Sequence, residues 1–288
     1  MAKYIPDINS KRWVVVASSR VNRPHDSSKN PTVPVVKKCP FCEGNEDLTP
    51  PEIWRVGGEG LWNKPGWKVR VVPNLYPITD VHEVIIHSPE GEKDIAELPL
   101  EQVNLLMEVY RDRFQARRDE GQVLIFNNHG QRAGASMRHP HSQLVVLPRQ
   151  IEMDTLIQEP LNNVIWENTY FNVYCPDFSQ WPYEVWIAPK NKENKDFGEL
   201  DNEHLNDLAE VLQKTLQKLK TVSQSEKILK INKEGDFNYN FYIYHGKNWY
   251  LRIIPRFIHR AGFELGTGLS VNIVDPQDAA KELAELMK

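Results

Sequence analysis

Two periods organise the apolar positions along this chain. Short apolar runs bounded by turn-forming residues predict strands at 11–17, 70–73, 82–89, 123–126 and 144–148, and again at 170–174, 183–188, 239–244 and 249–254. Val103, Leu106, Met107, Tyr110 and Phe114 instead share one face of a helix over 100–117. Leu205, Leu208, Val211, Leu212, Leu216 and Leu219 do the same for a second helix. Strand, strand, helix, strand, strand therefore occurs twice. That order predicts an α+β fold of two tandem units, 1–158 and 159–288, each an antiparallel sheet with helices packed on it. Asp275 and Pro276 supply an N-cap and a first-turn proline for a last helix.

Candidate chemistry gathers at His139-Pro-His-Ser-Gln143. Alternate side chains of an extended backbone share a face, which aligns His139, His141 and Gln143. A neutral imidazole can attack phosphorus while a neighbouring amide hydrogen-bonds the phosphoryl oxygens. The spacing alone equally suits a metal-ligand pair or two surface histidines. Upstream, Phe126-Asn-Asn-His-Gly130 and Gly134-Ala-Ser136 form a polar, glycine-containing segment whose backbone N–H groups could approach a phosphate. The second unit has Trp249-Tyr-Leu-Arg-Ile-Ile-Pro255 at the matching place, which offers no second nucleophile.

Three further segments carry functional residue types. Arg20 and Arg23 sit on the loop leaving the first strand, where guanidinium forks match phosphate oxygens or simply face solvent. A polar, proline-containing loop, 26–38, leads to Cys39-Pro-Phe-Cys42, a pair that can clasp one Zn²⁺ if two more ligands join it. A redox role is the competing view, although no thioredoxin-like βαβ pattern surrounds the pair. Gly262-Phe-Glu-Leu-Gly-Thr-Gly268 reads as a tight backbone turn or as a bulge between strands.

Composition narrows the function classes. Among 288 residues, 40% are hydrophobic and 26% charged, and the net charge of −4 gives no sign of general nucleic-acid binding. Any phosphate must be held by local basic groups. Three cysteines make no disulfide framework, the N-terminus lacks a signal-peptide core, and no window approaches the ~18 apolar residues of a membrane span. A cytoplasmic protein is expected.

Taken together, these motifs resemble the galactose-1-phosphate uridylyltransferase family of the histidine-triad superfamily, and their wording is similar to its plant-type ADP-glucose phosphorylase branch. The resemblance implies that His141 is the nucleophile, with Gln143 and Ser136 on the phosphoryl oxygens. It implies that Arg20, Arg23, Asn128 and Gly134 bind nucleotide and phosphate, that Asn74 meets the nucleoside (or merely caps a turn), and that Phe263, Gly266 and Thr267 close over the sugar phosphate. A structural zinc would be held by Cys39, Cys42 and His139. The family's fourth ligand, a histidine, falls at Gly91 here, so nearby His87, water or no bound metal remain open. The implied reaction is ping-pong nucleotidyl transfer between a nucleotide sugar and a phosphate-bearing acceptor, of the UDP-glucose:hexose-1-phosphate type. The alternatives are ADP-glucose phosphorolysis by inorganic phosphate, dinucleoside-polyphosphate hydrolysis and, from another class, a non-catalytic nucleotide-binding protein. A homodimer is expected by analogy.

Overall fold

The structure, a computed structural model, describes residues 2–7, 13–23, 38–151, 153, 156, 161–191, 195–233, 235–244 and 246–287. Residues 11–12 of the expected first strand, most of the 26–38 loop and the expected unit boundary at 158 lie outside them. Strands β1 (Lys3–Pro6) and β2 (Trp13–Val16) pair as a separate ribbon. The first unit continues with β3 (Trp54–Val56), β4 (Val69–Pro73), β5 (Val81–Ile86), α1 (Leu100–Arg117), β6 (Gln122–His129) and β7 (His141–Leu147). The second repeats the order as β8 (Val164–Glu167), β9 (Phe171–Tyr174), β10 (Val185–Pro189), α2 (Asn202–Ser223), the short α3 (Glu226–Leu229), β11 (Tyr239–Ile243) and β12 (Leu251–Pro255). Then come α4 (Gly262–Thr267) and α5 (Pro276–Met287).

The two units do not keep separate sheets. Their strands form one ten-stranded sheet in the order β3-β4-β5-β7-β6-β11-β12-β10-β9-β8, and the sequence reads the same from either edge once each strand is matched to its counterpart. Every neighbouring pair is antiparallel. The seam is β6 against β11, with Asn128 opposite Asn240.

Alternation divides this sheet into a covered and an open face. Ile85, Ile125, Leu144, Val185, Phe241 and Ile253 point to the helices and join a single core with α1 and α2. Each such side chain contributes about 1.5–3 kcal/mol by leaving water. Asp201 caps α2 by accepting the His204 N–H at 3.0 Å, as its position before the apolar stripe suggests. Glu83 on the covered face of β5 is clamped by Arg113 of α1 at 2.9 and 2.7 Å, which fixes the helix on the strand. The open face carries His82, Asn128, His141, Gln143, Asn240 and Arg252.

Strands β1, β3 and β8 were not expected from the sequence, and one expected turn takes another form. Gly262–Thr267 is a short helix, not a tight turn or bulge. Glu264 turns back to accept the Ala261 N–H at 2.9 Å, and Gly268 ends the helix in the left-handed conformation at φ 75°. The expected final helix is present, with Asp275 accepting the Gln277 N–H at 2.8 Å.

Candidate active site

Strand β7 begins at His141, one residue after Pro140 cuts the chain's access to a further ladder bond. His141 and Gln143 consequently share the open face, and His139, just outside the strand, turns elsewhere. The His141 ring is 6% exposed. Its Nδ1 lies 2.8 Å from the His139 carbonyl, so Nδ1 carries the proton and donates it. Nε2 is left with its lone pair, and among the described residues it has no hydrogen-bond partner. Burial pushes this imidazole down to about 4, the nearby Arg23 charge reinforces the shift, and the bond to His139 opposes it. The ring is therefore neutral near pH 7. Phe41 meets it edge-on at 5.2 Å between centroids.

A pocket of about 160 Å³ opens beside this lone pair, lined by Arg23, Phe41, Asn74, Ser136, His141 and Gln143 among others. Five of the residues assigned from the sequence thus converge. Ser136 arrives on a loop that starts at Gly130, whose φ is 83° and where a Cβ would fall 2.0 Å from Asn238 Oδ1, so glycine is required there. Gly134, also at φ 83°, ends the helical turn of the same loop without itself lining the pocket. The Arg23 guanidinium makes no ion pair among the described residues. Arg20 instead donates to the Tyr76 carbonyl at 2.6 Å, and its charge reaches the site only through space.

One residue that pattern reading passed over completes the arrangement. His82, on the open face of β5, accepts the Ile78 N–H at Nδ1 (3.0 Å), which places its proton on Nε2. Nε2 then donates to Gln143 Oε1 at 3.0 Å. With its oxygen taken, Gln143 can present only its NH₂ to a ligand. Burial lowers His82 to about 4, opposed by the Gln143 bond and reinforced by Arg20 and Arg23, so this donor keeps one tautomer. On the covered side, Asn127 Nδ2 holds the His141 carbonyl at 3.0 Å. The usable signal in the sequence was alternation: 82, 84 and 86 share a face, but nothing local says that Gln143 lies beside it.

Two further groups of assigned residues, like Arg20 and Gly134, do not line this pocket. Asn128 accepts from Asn240 Nδ2 at 2.7 Å and lines a neighbouring pocket on the same open face. Phe263, Gly266 and Thr267 lie on α4, where Phe263 is 55% exposed and the Thr267 hydroxyl bonds the Phe263 carbonyl within the helix.

Cys39, Cys42 and His139 meet at a separate cluster, their ligand atoms all within 4.8 Å of one another. His139 Nδ1 lies 3.5 Å from both sulfurs, while Nε2 donates to the Ser88 carbonyl at 2.9 Å. A metal-ligating imidazole wants such a support on its far nitrogen. Burial next to Cys42 pushes the Cys39 thiol up to about 11, a cost that a bound cation would reverse by favouring thiolate. The donor set therefore fits a metal ion. His87 is corrected here: it is not part of the cluster, because alternation turns it to the covered face, where Nε2 bonds Ser142 Oγ at 2.8 Å and Tyr110 OH at 3.2 Å. A Cβ on Gly91 would lie 2.8 Å from His139 Nδ1 and 3.4 Å from Cys42 Sγ, so the fourth direction meets bare backbone.

Comparison with known proteins agrees with this geometry. Residues 78–148, which contain β5, α1, β6 and β7, match the model of the galactose-1-phosphate uridyl transferase N-terminal domain. The chain is 29% identical to ADP-glucose phosphorylase of Arabidopsis thaliana over 96% of its own length and 91% of that protein. It is 27% identical to galactose-1-phosphate uridylyltransferase of Thermotoga maritima, covering 95% of each. A crystal structure of the Arabidopsis phosphorylase with bound ADP-glucose superposes with a TM-score of 0.71 at 27% identity over 99% of both chains. On these similarities the chain is an enzyme of the nucleotidyltransferase type, similar over nearly its whole length to ADP-glucose phosphorylase and galactose-1-phosphate uridylyltransferase.

Proposed function

We propose that the protein transfers a nucleotidyl group from a nucleoside-diphosphate sugar to a phosphate-bearing acceptor by way of His141. The observation that carries this reading is the unspent Nε2 lone pair of a buried, neutral imidazole. Nε2 attacks the α-phosphorus, the N–P bond forms, and the bond to the bridging oxygen breaks as sugar 1-phosphate leaves with that oxygen. The ring then bears positive charge, which the His139 carbonyl at 2.8 Å from Nδ1 stabilises. Gln143 NH₂, Ser136 and Arg23 take up charge on the phosphoryl oxygens. An acceptor phosphate next attacks the same phosphorus and frees Nε2. Both half-reactions use one pocket, hence ping-pong kinetics.

The acceptor we assign is a hexose 1-phosphate with UDP-glucose as donor. Phosphorolysis of ADP-glucose is the second reading, favoured by the extent of the match to the plant phosphorylase. Incubation with UDP-glucose or ADP-glucose labelled in the nucleotide should leave acid-labile label on the protein. Absence of label with any sugar nucleotide would count against the mechanism, and the acceptor that discharges the label separates the two readings. Cys39, Cys42 and His139 would hold one structural Zn²⁺, fastening the segment that carries Phe41 to the residue before the nucleophile.

A further inference from the structure

Across the seam from His141 lies a larger pocket, about 710 Å³, whose walls contain no carboxylate. It begins at Asn128, one strand from β7, and ends at Arg256 and Arg260 beyond β12, which lies about 14 Å from β7 at ordinary strand spacing. The two arginines stack on Trp181, with guanidinium carbons 4.3 and 4.8 Å from its ring centre. A third, Arg252, is spent on Glu184 at 2.7 and 2.9 Å. Arg256 and Arg260 have no such partner among the described residues. Arg260 donates only to the neutral Gln180 Oε1 and Ser270 Oγ. Arg256 Nε is buried with no hydrogen-bond partner. Burial, and after it the charge of Arg260, both lower the Arg256 pKa.

Two guanidinium groups stacked on one indole ring and lining one pocket, one of them with an unmet donor, offer several donors to an anion with several oxygens. We infer that this pocket is a second anion site, separate from the nucleotidyl pocket, that takes the phosphate group of a phosphorylated small molecule. It is too far from His141 to hold the phosphate that reacts. Its use by the far end of an acceptor rests on the nucleotidyl-transfer reading, whereas anion binding itself does not.

Equilibrium dialysis of labelled inorganic phosphate against the full chain tests it without turnover, so failure of the catalytic reading would leave the result intact. Two classes of site are expected. Arg256→Gln and Arg260→Gln should each weaken one class about tenfold or more, the loss of one charge-assisted bond. Arg23→Gln should weaken the other. Arg260 is exposed, so its variant keeps the test sound even if Arg256→Gln folds poorly. Glucose 1,6-bisphosphate held more tightly than phosphate would mark a ligand spanning both pockets; equal retention would mark a free-standing phosphate site. Phosphate retention unchanged in both Arg256→Gln and Arg260→Gln, or lost entirely in Arg23→Gln, overturns the inference.

Discussion

Strands β7 and β12 occupy equivalent places in the two halves of the sheet, and they treat polar side chains in opposite ways. On β7 the open face carries His141, a buried base whose Nε2 has no hydrogen-bond partner among the described residues. On β12 it carries Arg252, closed upon Glu184, which also receives the Trp186 indole N–H at 2.8 Å. Only the first arrangement leaves a group free to do work on a ligand. The second consumes its polarity in holding strands together.

Substitutions should split along this line. Replacing His141 with Ala would remove the proposed covalent route, so transfer should fall by more than the ~10³ typical of losing one charge-stabilising donor. Rapid-quench assays of product and of protein-bound nucleotide measure it, and residual labelling of the variant would show the wrong nucleophile. Gln143→Ala should cost about 10²–10³ in turnover with labelling still detectable. Arg252→Met should act on stability: an uncompensated Glu184, 0% exposed, costs about 3–5 kcal/mol in urea denaturation. A variant as stable as the parent would erase the contrast between the strands.

A smaller effect comes with pH. His141 has a folded pKa of about 4, below its unfolded value of about 6.5, so the unfolded chain binds the proton more readily. Its contribution to stability is complete above pH 6.5 and is lost as pH falls towards 4, by on the order of 1–3 kcal/mol. The stability of His141→Gln should decline less than that of the parent over that window. Smallest of all, His82→Phe should lower kcat about tenfold while leaving the transfer step's pH limb in place, because it frees the Gln143 amide to rotate and touches no reacting atom.

Much of the site was legible because strand period and loop chemistry are local. His141 and Gln143 fall on one face by counting in twos, and Cys39-Pro-Phe-Cys42 announces a shared ligand. What escaped is set by pairing between distant segments. His82 gains meaning only when β5 lies beside β7. The bond from Asn240 to Asn128 exists only because β11 pairs with β6. His87 sits close in sequence to the expected fourth ligand, but one position of register puts it on the wrong side of the sheet. The glycines of Gly262–Gly268 suggested a turn because they mask helix propensity, and the carboxylate that closes the first turn of α4 is visible only in three dimensions.

The pairing of β6 with β11 bears on what each half could be by itself. The two outermost strands are short, three residues in β3 and four in β8, and so offer little to a passing chain. An isolated half would instead bare the eight residues of β6 or the five of β11, an unprotected border suited to self-association. Separately expressed halves should therefore aggregate or recombine.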